Sequence, residues 1–186
     1  MIFYKIKGED YMKIMSIDAE TNGLWGEAFS IAATLHKHWE GTETKYFIGR
    51  CPIKGEVDSW VEENVLPQIQ GLEVTHNSYE ELLKDFIAFY MENKENADVI
   101  VHMGLPVESK LFLDAHTMGF LGDWDAPYPL IDICSFPEIH TSVDGYCEKN
   151  EIKVKKTIGG IHNPLYDCRA AAEAYMHYLE NYKGEI

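Results

Sequence analysis

Asp18 and Glu20 stand one residue apart at the end of an apolar run, in Ile14-Met15-Ser16-Ile17-Asp18-Ala19-Glu20-Thr21-Asn22-Gly23-Leu24. Ile14 to Ile17 reads as a buried strand, and residues two apart on a strand share a face. The two carboxylates therefore project together, and Asn22-Gly23 turns the chain sharply behind them. Carboxylates held side by side repel unless a cation lies between them. Mg²⁺ and Mn²⁺ are the natural candidates, because both prefer carboxylate oxygens. The other reading of this stretch alone is a strand and an Asn-Gly hairpin with solvated acids at its tip.

Two further groups could complete such a site. His102-Met103-Gly104-Leu105-Pro106-Val107-Glu108 sets a histidine and a glutamate on either side of a strand-to-helix turn. Ligand sites in α/β sheets gather outside strand ends, which suits Glu108. Its alternative is a first-turn acid facing the helix dipole. His162-Asn163-Pro164-Leu165-Tyr166-Asp167 gives a histidine just before a helix and an aspartate in its second turn. That spacing occurs by chance in roughly one chain in four or five of this size. Its weight comes from position, in a final Ala-rich helix able to lie close against the sheet that carries Asp18 and Glu20.

The elements that must position these groups alternate in type. After the Gly23 turn, Ala28 to Trp39 and Thr44 to Ile48 read as strands joined by a hairpin loop at Glu40-Gly41-Thr42-Glu43, so the first three strands form an antiparallel meander. Ser59-Trp60-Val61-Glu62 fits a capping box, with Val61, Val65, Leu66 and Ile69 on one side and Pro67 breaking the run. Ser78-Tyr79-Glu80-Glu81 is a second box, followed by an apolar stripe of Leu82, Leu83, Phe86, Ile87, Phe89 and Tyr90 that reads as core. Ala97 to Met103 is a fourth strand, buried on both faces at Val99 to Val101. A helix from Val107 to Met118 turns Leu111, Phe112 and Ala115 inward and stops at Gly119. Leu130 to Cys134 is a fifth strand, Val143 to Glu148 a short helix, and Asn163-Pro164 the N-cap and first residue of the last helix. The sum is an α/β single domain, spanning residues 12–182, with residues 1–11 as an accessory extension.

Composition narrows the partners. The chain has 186 residues and a formal net charge of −15 from 31 acidic and 16 basic residues. That balance argues against broad electrostatic capture of a duplex and favours a small, locally gripped substrate. Surface charges beyond about 8 Å are largely screened at physiological salt, and bound metal can reverse the sign locally. Cys51, Cys134, Cys147 and Cys168 form no CxxC pair, so reduced thiols and a cytoplasmic location are the expectation. No apolar run approaches membrane-spanning length, and Met1-Ile2-Phe3-Tyr4-Lys5 lacks a signal-peptide core. Oligomeric state has no signature in the sequence. Lys153, Lys155 and Lys156 read as a solvated loop or, less simply, as phosphate contacts.

Taken together, the motifs resemble the DEDDh family of 3′–5′ exonucleases over Ile14 to Leu179. Asp18-Ala19-Glu20-Thr21-Asn22-Gly23-Leu24 is similar to that family's first motif, and His162 to Asp167 to its third. His102 to Glu108 has the spacing of the second, with two departures: Met103 stands where an Asn often follows, and Glu108 where an Asp is expected. Asp114 is the alternative acid, roughly 9 Å further along a helix at 1.5 Å per residue. Asp132 resembles an acid often found in the fifth strand. The resemblance implies a ribonuclease-H-like mixed five-stranded sheet flanked by helices. It also implies hydrolysis of single-stranded DNA or RNA, or a short oligonucleotide, from its 3′ end, with release of nucleoside monophosphates. Two Mg²⁺ or Mn²⁺ would be held by Asp18, Glu20, Glu108 and Asp167, with His162 as general base. Ala19, Thr21, Gly23, Leu24 and His102 would contact the terminal nucleotide, Leu24 against its base; Trp25 reads as core or rim packing or, no more simply, as a second stacking surface. The alternative is a catalytically degenerate nucleic-acid-binding module of the same fold.

Overall fold

A computed structural model describes residues 13–37, 42–140, 142–156 and 159–181. The proposed extension, residues 1–11, lies outside them. The sheet has five strands in the order β3-β2-β1-β4-β5. β1 (Lys13–Thr21), β2 (Ala28–Lys37) and β3 (Thr42–Arg50) form the antiparallel meander, while β4 (Ala97–Val101) runs parallel to β1 and β5 (Leu130–Asp132) parallel to β4. Between and after the strands come α1 (Ser59–Asn64), α2 (Tyr79–Asn93), α3 (Val107–Thr117), α4 (Val143–Lys149) and α5 (Pro164–Asn181). The α/β class and the mixed sheet follow the expectation.

β1 sits at the centre of the sheet and feeds two cores by alternation. Met15, Ile17 and Ala19 pack with Leu82, Leu83 and Phe86 of α2 and with Leu111 and Phe112 of α3. Ile14 faces the other way, with Ile100, against the alanines of α5 and Tyr146 of α4. Asp18 and Glu20 share the parity of Ile14 and so fall on the α5 face. Ala170, Ala171, Ala172 and Ala174 are buried there, and their small side chains let the helix backbone approach the strands. Arg169 and Glu43 fasten the same helix to β3 by a bidentate ion pair of 2.6 and 2.9 Å, with both side chains largely buried.

Several boundaries differ from the sequence reading, each for a local reason. Asp58, not Ser59, caps α1, its carboxylate accepting from the Trp60 and Val61 amides. Ser78 caps α2 as expected, but Glu81 reaches back to the Asn77 amide rather than that of Ser78. Thr42 and Glu43 belong to β3 rather than to a loop, because pairing with Lys37 and His36 extends past a bulge. His38 to Gly41, the rest of that expected hairpin, lie outside the described residues. β4 ends at Val101 and β5 at Asp132, where the backbone bends to build the site. Among the described residues, no helix is long and apolar enough to cross a membrane.

Candidate active site

The first acid pair is where alternation puts it. Asp18 is half-buried and Glu20 is 9% exposed, at the end of β1 next to a register irregularity between Glu20 and Thr21. The turn behind them needs Gly23, which sits at φ +74°. Asn22 then ties the turn to the segment before α1, its amide donating to the Glu56 carbonyl at 2.8 Å and its oxygen accepting from the Asp58 amide at 2.8 Å.

Asp167 arrives from the opposite end of the chain. Asn163 caps α5 by accepting from the Leu165 and Tyr166 amides. This places Asp167 in the first turn, where its Oδ2 accepts from the His162 amide at 2.9 Å. One carboxylate oxygen each from Asp18, Glu20 and Asp167 lies within 4.8 Å of the others. His162 holds a left-handed backbone at φ +67°, unusual outside glycine, and the Asp167 contact braces it there. Trp60 of α1 meets the His162 ring edge-on, with centroids 5.2 Å apart at 85°.

Glu108 is 4% exposed in the first turn of α3 and reaches the end of β1, where its Oε1 accepts from the Ala19 amide at 3.0 Å. Its partner amide is thus that of the residue between the two acids of β1, while Glu108 itself lies outside the tight three-acid group. Gly104 permits the approach, since a Cβ there would meet Val101 Cγ2 at 2.4 Å and Glu108 Oε2 at 3.4 Å. Asp114 does not enter the site. Its carboxylate accepts from the Tyr79 hydroxyl at 2.7 Å and pairs with Lys110 one turn away. Asp132 is a clamp: it accepts from the Met103, Gly104 and Cys134 amides at 2.9, 3.0 and 3.1 Å, fixing the turn that leads into α3.

These groups line one cavity of about 380 Å³, shared by Asp18, Ala19, Glu20, His102, Glu108, His162 and Asp167. Thr21, the last residue of β1, and Gly23 and Leu24 on the turn lie outside it, and Leu24 and Trp25 are exposed. Met103 and Ile161, also exposed, complete an apolar lip. One wall residue and one neighbour of His162 had no clear signature in the sequence. Asp144, in the first turn of α4, accepts from the Tyr166 hydroxyl at 2.8 Å and adds a fifth carboxylate. Trp60 reads as part of a cap from sequence, and only its contact with His162 reveals its place.

The electrostatics are those of buried acids crowded together. Burial is the main cause raising Asp18 to about 7. Burial first, then repulsion from Asp18, Asp167 and Glu108, raises Glu20 to about 10. Burial and neighbouring acids push Glu108 and Asp167 upward as well. Among the described residues, no lysine or arginine lines the cavity. Hard oxygen donors, clustered without an internal counter-ion, fit Mg²⁺ or Mn²⁺. Burial lowers His162, with Asp144 acting in the opposite sense, so its imidazole is neutral and able to accept a proton near neutral pH.

No protein-family model and no curated protein sequence matches the chain. Solved structures do. The nuclease domain of 3′hExo, a DEDDh family member bound to rAMP, superposes with a TM-score of 0.67 at 16% identity, covering 92% of this chain and 93% of that one. Exonuclease X in complex with 5′ overhanging duplex DNA gives 0.56 at 15% identity, covering 92% and 94%. The Mg²⁺- and Mn²⁺-bound form of S. pombe Pop2p gives 0.65 at 14% identity, covering 94% and 85%. At such identities the likeness speaks to architecture: the chain has the ribonuclease-H-like fold of the DEDDh exonuclease domains.

Proposed function

We propose that this chain is a metal-dependent 3′–5′ exonuclease that removes nucleoside monophosphates from the 3′ end of single-stranded DNA or RNA, its catalytic domain spanning residues 12–182. The observation that carries the reading is the meeting of Asp18 and Glu20 with Asp167, from opposite ends of the chain, within 4.8 Å and beside His162. The solved structures add support by their own descriptions: rAMP on one, DNA on another, Mg²⁺ and Mn²⁺ on a third.

Asp18, Glu20 and Asp167 would hold one divalent cation, and Glu108 with Asp18 a second. Such cations supply positive charge to the scissile phosphate and lower the pKa of the attacking water. The neutral imidazole of His162 takes the proton of that water as its oxygen attacks phosphorus. The bond between phosphorus and the 3′-oxygen of the penultimate nucleotide breaks, and that oxygen is protonated as it leaves. The products are a nucleoside 5′-monophosphate and a strand one unit shorter with a free 3′-hydroxyl. Asp167 sets the backbone of His162, and Trp60 packs edge-on against its ring. Leu24 and Trp25 on the turn, with Met103 and Ile161 on the lip, offer apolar surface to a splayed base, while Ala19, Thr21 and Gly23 present backbone groups and His102 an imidazole.

One observation favours a second reading, a module that binds nucleotides without cleaving them: Glu108 already serves the Ala19 amide and lies outside the three-acid group. Incubating a 5′-labelled single strand, DNA and RNA in parallel, with Mn²⁺ or with EDTA separates the two. Exonucleolysis gives a ladder shortening from the 3′ end in Mn²⁺ only. Intact strand with measurable binding supports the module, and neither binding nor cleavage overturns both.

A further inference from the structure

A second cavity, of about 550 Å³, adjoins the candidate site and shares Asp144 with it. Asp144 is the shared wall, and Tyr166 of the second cavity braces it, its hydroxyl donating to Asp144 at 2.8 Å and its backbone preceding Asp167. The far wall is the extended segment before α5, from which Lys153 and Lys156 line the groove. Lys155, between them, pairs with Glu43 at 3.3 Å, and Glu43 is itself gripped by Arg169. The segment is thus pinned at its middle while Lys153 and Lys156 stay exposed. Among the described residues neither has an ion-pair partner within 4.0 Å.

A strand whose 3′ end occupies the catalytic cavity must leave it across the adjoining surface. The cavities around Tyr79 share no lining residue with the candidate site, whereas this groove opens beside it. We propose that the groove binds phosphates of nucleotides on the 5′ side of the scissile bond, with Lys153 and Lys156 as the phosphate contacts. The inference rests on the exonuclease reading and specifies the path of its substrate. Asp144 and Glu148 line the same groove and offset the two ammonium groups, so its charge is near neutral in a chain of −15. The grip is therefore local, limited to two phosphates, and not a long cationic track. Binding strength rises over the first few nucleotides and then levels off with substrate length.

The test uses the full chain with two probes. One is a fluorescent pentanucleotide with cleavage-resistant phosphorothioate linkages, titrated in Ca²⁺, a hard cation that carboxylates also hold, at several salt concentrations. The other is the p-nitrophenyl ester of thymidine 5′-monophosphate, which fills the catalytic cavity alone. The double variant Lys153→Gln, Lys156→Gln is compared with wild type and with Lys54→Gln, Lys84→Gln, which changes net charge equally on exposed residues outside the groove. Weakening of pentanucleotide binding by about tenfold at low salt is expected, with the log–log salt slope smaller by about 1.4, from ~0.7 per single-strand phosphate contact. Ester turnover is unchanged, and the control pair behaves as wild type. Equal pentanucleotide affinity and slope in the double variant, or an equal loss in the control pair, overturns the groove. Absence of ester turnover by wild type speaks against the exonuclease reading instead, and the binding titration still decides the groove.

Discussion

Glu108 is the residue on which the chemistry turns, because it does two things at once. Its buried carboxylate accepts from the Ala19 amide and stands beside Asp18. Glu108→Gln keeps an acceptor for Ala19 and removes the charge, so activity should fall at least 10²-fold with little change in Tm. Glu108→Ala should lose activity and in addition about 1–3 kcal/mol of stability for an unpaired buried amide. Steady-state kinetics beside thermal melts separates the roles, and full activity in Glu108→Gln would take the carboxylate out of the mechanism. His162→Ala should cost about 10²–10⁴-fold in kcat, the usual worth of a general base. Trp60→Ala, which frees the imidazole without removing it, should cost less and leave metal affinity intact by calorimetry. Asp18, Glu20 and Asp167 were legible in the sequence because strand alternation and helix capping act within a few residues. Asp144 and Trp60 were not, because each enters the site only by long-range packing: α4 against α5, and α1 against the loop before α5.

At the scale of elements, the site depends on the turn between β4 and α3. Asp132 holds that turn from the end of β5 through the Met103 and Gly104 amides, and its Oδ1 also accepts from the Cys134 amide just after it. Removing the carboxylate in Asp132→Ala should cost about 2 kcal/mol, which lowers Tm by about 4–8 °C for a domain of this size, and should reduce kcat by displacing Glu108. Asp132→Asn retains Oδ1, the oxygen that serves both Met103 and Cys134, and should recover most of both losses. Equal damage from the two variants would show that charge, not the contacts, is what Asp132 contributes. The sequence placed Asp132 in a strand but carried no sign of this clamp, because the turn it holds lies almost thirty residues upstream and is held through backbone amides. Strand and helix types were legible for the converse reason: periodicity of two or 3.6 is a property of neighbours. The boundaries that slipped, at Asp58 and at Thr42, are those decided by a cap one residue early and by cross-strand pairing.

Across the whole molecule, the crowded acids bind stability to pH and metal. Asp18 and Glu20 have folded-state values raised to about 7 and about 10. The folded state therefore holds protons that the unfolded chain releases near pH 4, and this contribution to stability is lost as pH rises through those values. In EDTA, Tm should fall between pH 5 and pH 9; added Mn²⁺ should flatten the fall, and Asp18→Asn should flatten it near pH 7 without metal. A melt series checks the sign, and a Tm that climbs with pH in EDTA would contradict the buried-acid arrangement. The most direct measurement is anomalous diffraction from crystals grown with Mn²⁺ and a nucleoside 5′-monophosphate. Two manganese peaks should lie among the carboxylates of Asp18, Glu20, Glu108 and Asp167, about 3.5–4 Å apart, with the phosphate between them and His162 facing it. Manganese bound elsewhere, or a nucleotide lodged away from these acids, would contradict the reading.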